Sequence, residues 1–212
     1  MTKIKICGIK TVEASKTVIE EEADYIGLVF VDGVKRKISI PQAKKITDYV
    51  KKIKNRPKIV GLFRNQKLEY VLKTIDYLNL DCIQLCGNED KDFFDNIPIK
   101  IFKQIRIKNN EKKEFLANKT SDLLRENIGV LLDTYEKNSL GGTGTSFDWN
   151  LADGIAQRKN TFLAGGLNNN NIDLAIKTCS PWGIDVSSGV ESNGEKNSKL
   201  ITSFIRKIKS IN

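Results

Sequence analysis

The chain has 212 residues, of which 40% are hydrophobic and 29% are charged, as in a single globular domain rather than a disordered chain. Its formal charge is +9, but the basic residues are scattered and no apolar run approaches the roughly 18 residues of a membrane span, so we expect neither a nucleic-acid nor a membrane partner. Histidine is absent, which excludes histidine-based metal sites and leaves proton transfer to carboxylates, thiols, lysines and tyrosines.

Strand-like and helical segments alternate along the whole chain. Strands are predicted over 3–7, 24–31, 58–63, 81–85, 99–107, 128–133, 161–164 and 183–187, where short apolar runs end in polar or glycine residues. Helices are predicted over 11–22, 39–53, 68–78, 89–96, 111–126, 148–157, 171–178 and 200–208. Ser39 and Gln42 have the spacing of a capping box, which marks the start of the second helix.

Eight βα units without a linker or a change in composition predict parallel strands joined by crossover helices. We therefore expect an α/β fold, a single-domain (β/α)8 TIM barrel over residues 1–212, near the short end of that fold's size range. The alternative is an open doubly wound sheet. The turn after the first strand reads Cys7-Gly8-Ile9-Lys10 and lacks the G-x-G-x-x-G pattern of a dinucleotide-binding fold, which favours the barrel.

In such a barrel, the active site lies at the carboxyl ends of the strands. Cys7 ends the first strand and Asp133 ends the sixth, so the two side chains would face each other across the barrel mouth. A thiol and a carboxyl group in one pocket form a usable acid/base pair. By position alone, a buried core residue is the commoner role for a cysteine such as Cys7, and Asp133 is also compatible with a strand-end cap. Arg64, Gln84 and Arg106 also lie at strand ends.

Small residues follow the last two strands, where barrels commonly bind phosphate through backbone N–H groups. The residues expected to bind phosphate there are Gly165, Gly166, Ser187, Ser188 and Gly189. The alternative is that the two glycines of the first loop only turn the chain.

The four cysteines are expected to be free thiols, since the chain begins without a signal-peptide core and is predicted to be cytoplasmic. Cys82 and Cys86 would lie roughly 13 Å apart along a strand. No second pair of metal-ligand residues accompanies them, so we expect no metal site.

Several ordered segments, spread over essentially the whole chain, carry a resemblance to a known family. They are Lys5-Ile6-Cys7-Gly8, Gln84-Leu85-x-Gly87, Leu132-Asp133, Gly141-Gly142-Thr143-Gly144, Phe147-Asp148-Trp149, Leu163-Ala164-Gly165-Gly166-Leu167 and Gly183-Ile184-Asp185-Val186-Ser187-Ser188-Gly189-Val190-Glu191. Together they resemble the phosphoribosylanthranilate isomerase family of tryptophan biosynthesis.

The resemblance implies an Amadori rearrangement, in which the aminoaldose N-(5-phosphoribosyl)anthranilate becomes the 1-deoxyribulose aminoketose. It implies that Cys7 is the general base at C2′, that Asp133 is the general acid at the ring oxygen, and that Arg36 holds the anthranilate carboxylate. Three further residues are expected in the pocket, Gln84, Gly142 and Asp185. The expected partner is a small phosphorylated aminosugar, without a cofactor, and the expected protein is a monomer, with a dimer left open.

The chain departs from the family pattern at three positions. Cys86 stands where the family usually has histidine, Val34 where it has serine, and Asn169 where it has proline. Two alternatives stay open at this point. The chain could be another phosphosugar isomerase or epimerase on the same barrel, or a phosphate-binding barrel without catalytic activity.

Overall fold

Eight parallel strands close into a barrel in sequence order, which confirms the predicted TIM-barrel fold. The computed structural model describes residues 1–108, 110–134 and 146–211. The strands are β1 (Lys3–Cys7), β2 (Tyr25–Val29), β3 (Lys58–Phe63), β4 (Cys82–Leu85), β5 (Lys100–Ile107), β6 (Gly129–Thr134), β7 (Thr161–Leu163) and β8 (Gly183–Val186). Closure comes from β8 pairing with β1, for example Ile184 with Ile4. Each strand pairs in parallel with the next, so all eight carboxyl ends meet at one face.

In the part of the chain that the structure describes, seven α-helices pack around the barrel. They are α1 (Val12–Glu20), α2 (Ile40–Val50), α3 (Leu68–Leu78), α4 (Lys91–Asp95), α5 (Lys113–Arg125), α6 (Ile172–Cys179) and α7 (Ser198–Ile211). The predicted capping box at α2 is confirmed: the Gln42 N–H donates to Ser39 Oγ (3.4 Å), and the Ser39 N–H donates to Gln42 Oε1 (3.2 Å).

The predicted helix over 148–157 is wrong. The structure has a single 3₁₀ turn there (Trp149–Leu151), followed by turns. Gly154 adopts a φ of +75°, which a right-handed helix does not allow. Ala152, Ile155 and Ala156 are buried although they lie in turns, so the apolar pattern of this segment reflects burial rather than a helix.

A short hairpin that was not predicted follows β8. Its strands are β9 (Glu191–Ser192) and β10 (Glu195–Lys196), which pair antiparallel. The connecting residues Asn193-Gly194 are the pair preferred in two-residue hairpin turns. That dipeptide is the signal from which the hairpin was predictable.

Four aromatic side chains fill the amino-terminal half of the barrel. Phe162 lies at their centre, with ring centroids 5.3 Å from Tyr25, 5.2 Å from Phe102 and 5.1 Å from Trp182, all edge-on. Phe162 has no solvent exposure. This cluster closes the floor of the barrel, so the interior opens at the carboxyl ends of the strands.

Candidate active site

A cavity of about 620 Å³, including its open mouth, lies at the carboxyl ends of the strands. The side chains that line it are Cys7, Val29, Val31, Val34, Arg36, Leu62, Arg64, Gln84, Cys86, Gln104, Asp133, Asp185 and Ser187. Six of the residues predicted for the site are therefore together, namely Cys7, Arg36, Gln84, Asp133, Asp185 and Ser187.

A buried lysine joins the two sides of the cavity floor. Lys5 Nζ donates to Asp185 Oδ1 (2.8 Å) and to Gln84 Oε1 (2.9 Å), and the Lys5 side chain is 1% exposed. Gln84 Nε2 in turn donates to Cys86 Sγ (3.3 Å). Sequence reasoning did not select Lys5 as a site residue. The available signal was a lysine two positions before Cys7, and thus on the same inward face of β1.

The Cys7 thiol is buried at the end of β1, with 5% of the residue exposed. Burial raises the pKa of Cys7 above its ordinary value, and the nearby ammonium of Lys5 opposes this only in part. The charge of Asp185 raises the pKa further, whereas Lys196 and Arg36 lower it. The thiol is consequently protonated at neutral pH in the free protein.

Asp133 is partly buried near the end of β6, on the other side of the cavity. Its Oδ1 accepts from the Thr134 N–H (2.9 Å), and its Oδ2 accepts from Gln104 Nε2 (2.5 Å). Burial, reinforced by the charge of Asp185, raises the pKa of Asp133 to about 6 in spite of these two hydrogen bonds. This carboxyl group holds a proton far more readily than an ordinary aspartate and is suited to donate one.

Arg36 is held at the rim of the cavity by the unpredicted hairpin. Its Nε and Nη2 donate to Glu191 Oε1 (2.6 Å) and Oε2 (2.7 Å). Lys196 Nζ also contacts Glu191 and donates to the Ser187 carbonyl (3.0 Å). Nε and Nη2 form one edge of the guanidinium, and among the described residues Glu191 is the partner of that edge. The other edge, formed by both Nη groups, can bind a second carboxylate.

The two loops predicted to bind phosphate lie side by side. Asn168, after β7, forms a parallel bridge with Gly189, after β8. A Cβ at Gly189 would lie 1.9 Å from the Leu167 carbonyl oxygen, so this position has room for glycine alone. Ser187 lines the cavity, whereas Gly165, Gly166, Ser188 and Gly189 lie in the adjoining loops. The predicted pocket residue Gly142 lies outside the described residues.

All four cysteines are free thiols, as predicted. Within residues 1–108, 110–134 and 146–211, no three acidic or cysteine side chains are grouped as metal ligands. No helix in the same part of the chain has the length and apolar character that crossing a membrane requires.

Comparison with known proteins gives a consistent result. Residues 4–207 match the sequence model of the N-(5′-phosphoribosyl)anthranilate isomerase family. The N-(5′-phosphoribosyl)anthranilate isomerase of Thermoanaerobacter pseudethanolicus is 40% identical over 216 residues, which cover 100% of both chains. That of Leptospira borgpetersenii is 41% identical and covers 98% of this chain and 95% of its own.

Solved structures agree. The phosphoribosyl anthranilate isomerase of Thermotoga maritima superposes with a TM-score of 0.85 at 32% identity, covering 99% of this chain and 100% of its own. Another structure, with a TM-score of 0.82, 31% identity and the same coverage, is a phosphoribosyl anthranilate isomerase in complex with reduced 1-(o-carboxyphenylamino)-1-deoxyribulose 5-phosphate. From the barrel, the cavity and these matches together, the chain belongs to the phosphoribosylanthranilate isomerase family.

Proposed function

We propose that this chain converts N-(5-phosphoribosyl)anthranilate to 1-(2-carboxyphenylamino)-1-deoxyribulose 5-phosphate in tryptophan biosynthesis, with Asp133 as the general acid and Cys7 as the general base. The observation that carries the proposal is that these two side chains line one cavity and come from two strands, β1 and β6, that are not neighbours in the barrel wall. Family membership supplies the reaction, and the raised pKa of Asp133 supports the role of proton donor.

The first chemical step opens the sugar ring. Asp133 gives its proton to the furanose ring oxygen while the C1′–O bond breaks, and the anthranilate nitrogen shares its electron pair with C1′ to form an iminium ion. The hydrogen bonds that Thr134 and Gln104 donate to Asp133 stabilise the carboxylate that this step leaves behind.

The second step moves the hydrogen from C2′. The Cys7 thiolate removes that proton, and the electrons of the C–H bond neutralise the iminium ion to give an enaminol. Transfer of the hydroxyl proton to C1′ then produces the aminoketose. Lys5, Lys196 and Arg36 each lower the pKa of Cys7, which favours formation of the thiolate within a buried site.

The rest of the substrate has proposed contacts in the same region. Arg36 binds the anthranilate carboxylate through the guanidinium edge that Glu191 leaves open. The phosphate binds the loops after β7 and β8, through Gly165, Gly166, Ser187, Ser188 and Gly189, and Gln84, Gly142 and Asp185 complete the pocket. No cofactor takes part. We further propose that residues 1–212 form one domain that acts as a cytoplasmic monomer, although a Thermotoga maritima relative is described as dimeric.

The test measures the loss of anthranilate-adduct fluorescence when purified protein is added to substrate generated in the assay mixture. The parent is expected to turn over, and Cys7→Ala is expected to lose about 10²–10⁴-fold in kcat, the usual contribution of a positioned base. Cys179→Ala is the matched control, because Cys179 is also a buried free thiol but lies outside the cavity. A parent protein that binds the reduced product but does not turn over would refute catalysis and leave a phosphate-binding barrel.

A further inference from the structure

Arg64 places in the active-site cavity a guanidinium whose Nη1 group has no partner among the described residues. The residue follows β3, and its backbone is fixed because the Arg64 N–H donates to Gln66 Oε1 while Gln66 Nε2 donates to the Phe30 carbonyl (2.9 Å). The side chain lines the cavity. Its Nη1 atom is enclosed and has no hydrogen-bond acceptor in the part of the chain that the structure describes.

The other charged side chains of the cavity have partners. Asp185 pairs with Lys5, Arg36 pairs with Glu191, and the Asp133 carboxyl accepts two hydrogen bonds. An enclosed N–H of a charged group without an acceptor is destabilising, and native proteins retain such groups chiefly where a ligand or water completes them. Arg64 therefore has the surroundings of a binding group rather than of a structural one.

The position of Arg64 in the ring of strands decides which part of the substrate it can reach. In an eight-stranded closed barrel, β3 lies directly opposite β7. The loops that bind phosphate follow β7 and β8, so a substrate that spans the mouth presents its other end towards β3. Arg64 is consequently remote from the phosphate and close to the aromatic end.

The neighbours of Arg64 fit an aromatic carboxylate. Val31, Val34 and Leu62 line the cavity from β3 and from the segment after β2, and they form an apolar wall for a ring. Arg36 comes from the same segment after β2. Because Glu191 already occupies one edge of Arg36, that residue offers the substrate a single edge. A carboxylate on the ring has acceptor sites for two guanidinium groups.

We propose that Arg64 is a second carboxylate-binding residue, which holds the anthranilate carboxylate together with Arg36 and selects for substrates that carry this group. The inference rests on the proposed function, since it assumes an anthranilate sugar phosphate as substrate. It assigns to Arg64 a part of recognition, and no part of the proton transfers.

The test compares two probes by isothermal titration calorimetry. One is the reduced product, 1-(o-carboxyphenylamino)-1-deoxyribulose 5-phosphate after reduction, and the other is the same compound without the ring carboxylate. Arg64→Met is expected to weaken binding of the carboxylated probe by about 10- to 100-fold, as for a hydrogen bond between charged groups, and to leave the other probe within about threefold. Arg64→Lys keeps the charge without the planar fork and should fall between.

Two controls separate binding from folding. Arg125→Met removes an exposed arginine of α5, whose ion pair with Asp122 lies outside the cavity, and should bind both probes like the parent. Thermal unfolding of Arg64→Met should occur at the same or a higher temperature, because the substitution removes a charge that has no partner in the described chain.

The outcomes are distinct. Equal weakening of both probes by Arg64→Met, or no weakening, would overturn the assignment of Arg64 while leaving the proposed function intact. A parent protein that binds neither probe would overturn the proposed function and the inference with it. Selective loss of the carboxylated probe supports both.

Discussion

Replacing Asp133 with asparagine is expected to lower activity by about 10²–10⁴-fold and to stabilise the fold. The carboxyl group has a pKa of about 6 in the folded protein, because it is partly buried and faces Asp185, against about 3.9 for an aspartate in an unfolded chain. Ionising it in the folded state is therefore unfavourable. An asparagine has the same shape, and its carbonyl still accepts the Thr134 N–H, while its amide N–H can donate to Gln104 Oε1 once the Gln104 amide rotates. It carries no charge and no transferable proton.

The size of the stability effect follows from linkage. Between the unfolded pKa and the folded pKa, the native state binds the proton more tightly, so stability is present at low pH and is lost as the pH rises through about 6. A difference of about two pH units corresponds to at most about 3 kcal/mol. For a chain of this length, that is a rise in Tm on the order of 5–10 °C for Asp133→Asn at pH 8, and little change at pH 4.

The change in Tm is measured by thermal unfolding of the parent and the variant at pH 4 and pH 8. Turnover is measured by the fluorescence assay. Activity should fall by about 10²–10⁴-fold. Asp153→Asn is the control, since Asp153 pairs with Lys113 at the surface and should change neither quantity appreciably. If Asp133→Asn were inactive but its Tm exceeded that of the parent no more at pH 8 than at pH 4, the raised pKa of Asp133 would be wrong, and with it the assignment of a protonated acid.

Three further predictions concern the base, its surroundings and the barrel floor. In the parent, kcat/KM should rise tenfold per pH unit up to about pH 6 and then stay level up to the raised pKa of Cys7. The level range arises because the loss of protonated Asp133 and the gain of Cys7 thiolate cancel. An activity that falls just above pH 6 in initial-rate assays would contradict this. Lys196→Met should lower kcat/KM roughly tenfold across the level part of the pH profile, pH 7 included, because Lys196 lowers the pKa of Cys7; Lys196→Arg keeps the positive charge and should stay near the parent. Phe162→Ala should cost about 3–5 kcal/mol in urea unfolding, whereas the exposed Leu174→Ala should stay within about 0.5 kcal/mol.

The barrel itself was predictable because its signal is local and repeated. Each strand reads as a short apolar run, each helix as an apolar stripe, and eight such pairs fit a closed ring. The prediction failed at 148–157, where burial of Ala152 and Ile155 imitated a helix although Gly154 has a backbone that no helix accepts. Hydrophobic periodicity indicates which side chains are buried, whereas the backbone conformation of this segment depends on a single glycine.

The site was predictable only in part, for a different reason. Strand ends converge whatever their loops do, so Cys7 and Asp133 could be expected in one cavity. The hydrogen-bond partners of the site residues are not set by the local sequence pattern. Lys5 and Asp185 are 180 positions apart in the sequence, and Arg36 and Glu191 are 155 positions apart. The roles of the site residues remain predictions that the assays above address.

In the free protein at neutral pH, neither proposed catalytic group is in the form that the reaction needs. Asp133 is mostly ionised, since its pKa is about 6, and Cys7 is protonated, since burial raises its pKa. A substrate that carries a phosphate and a carboxylate changes both states, because nearby negative charge raises the pKa of each group. The rise in pKa favours the protonated form of Asp133, which the reaction needs, and opposes formation of the Cys7 thiolate. Arginines that neutralise the substrate carboxylate limit the second effect, so Arg36 and the proposed contact of Arg64 would allow a thiolate to form beside an anionic substrate.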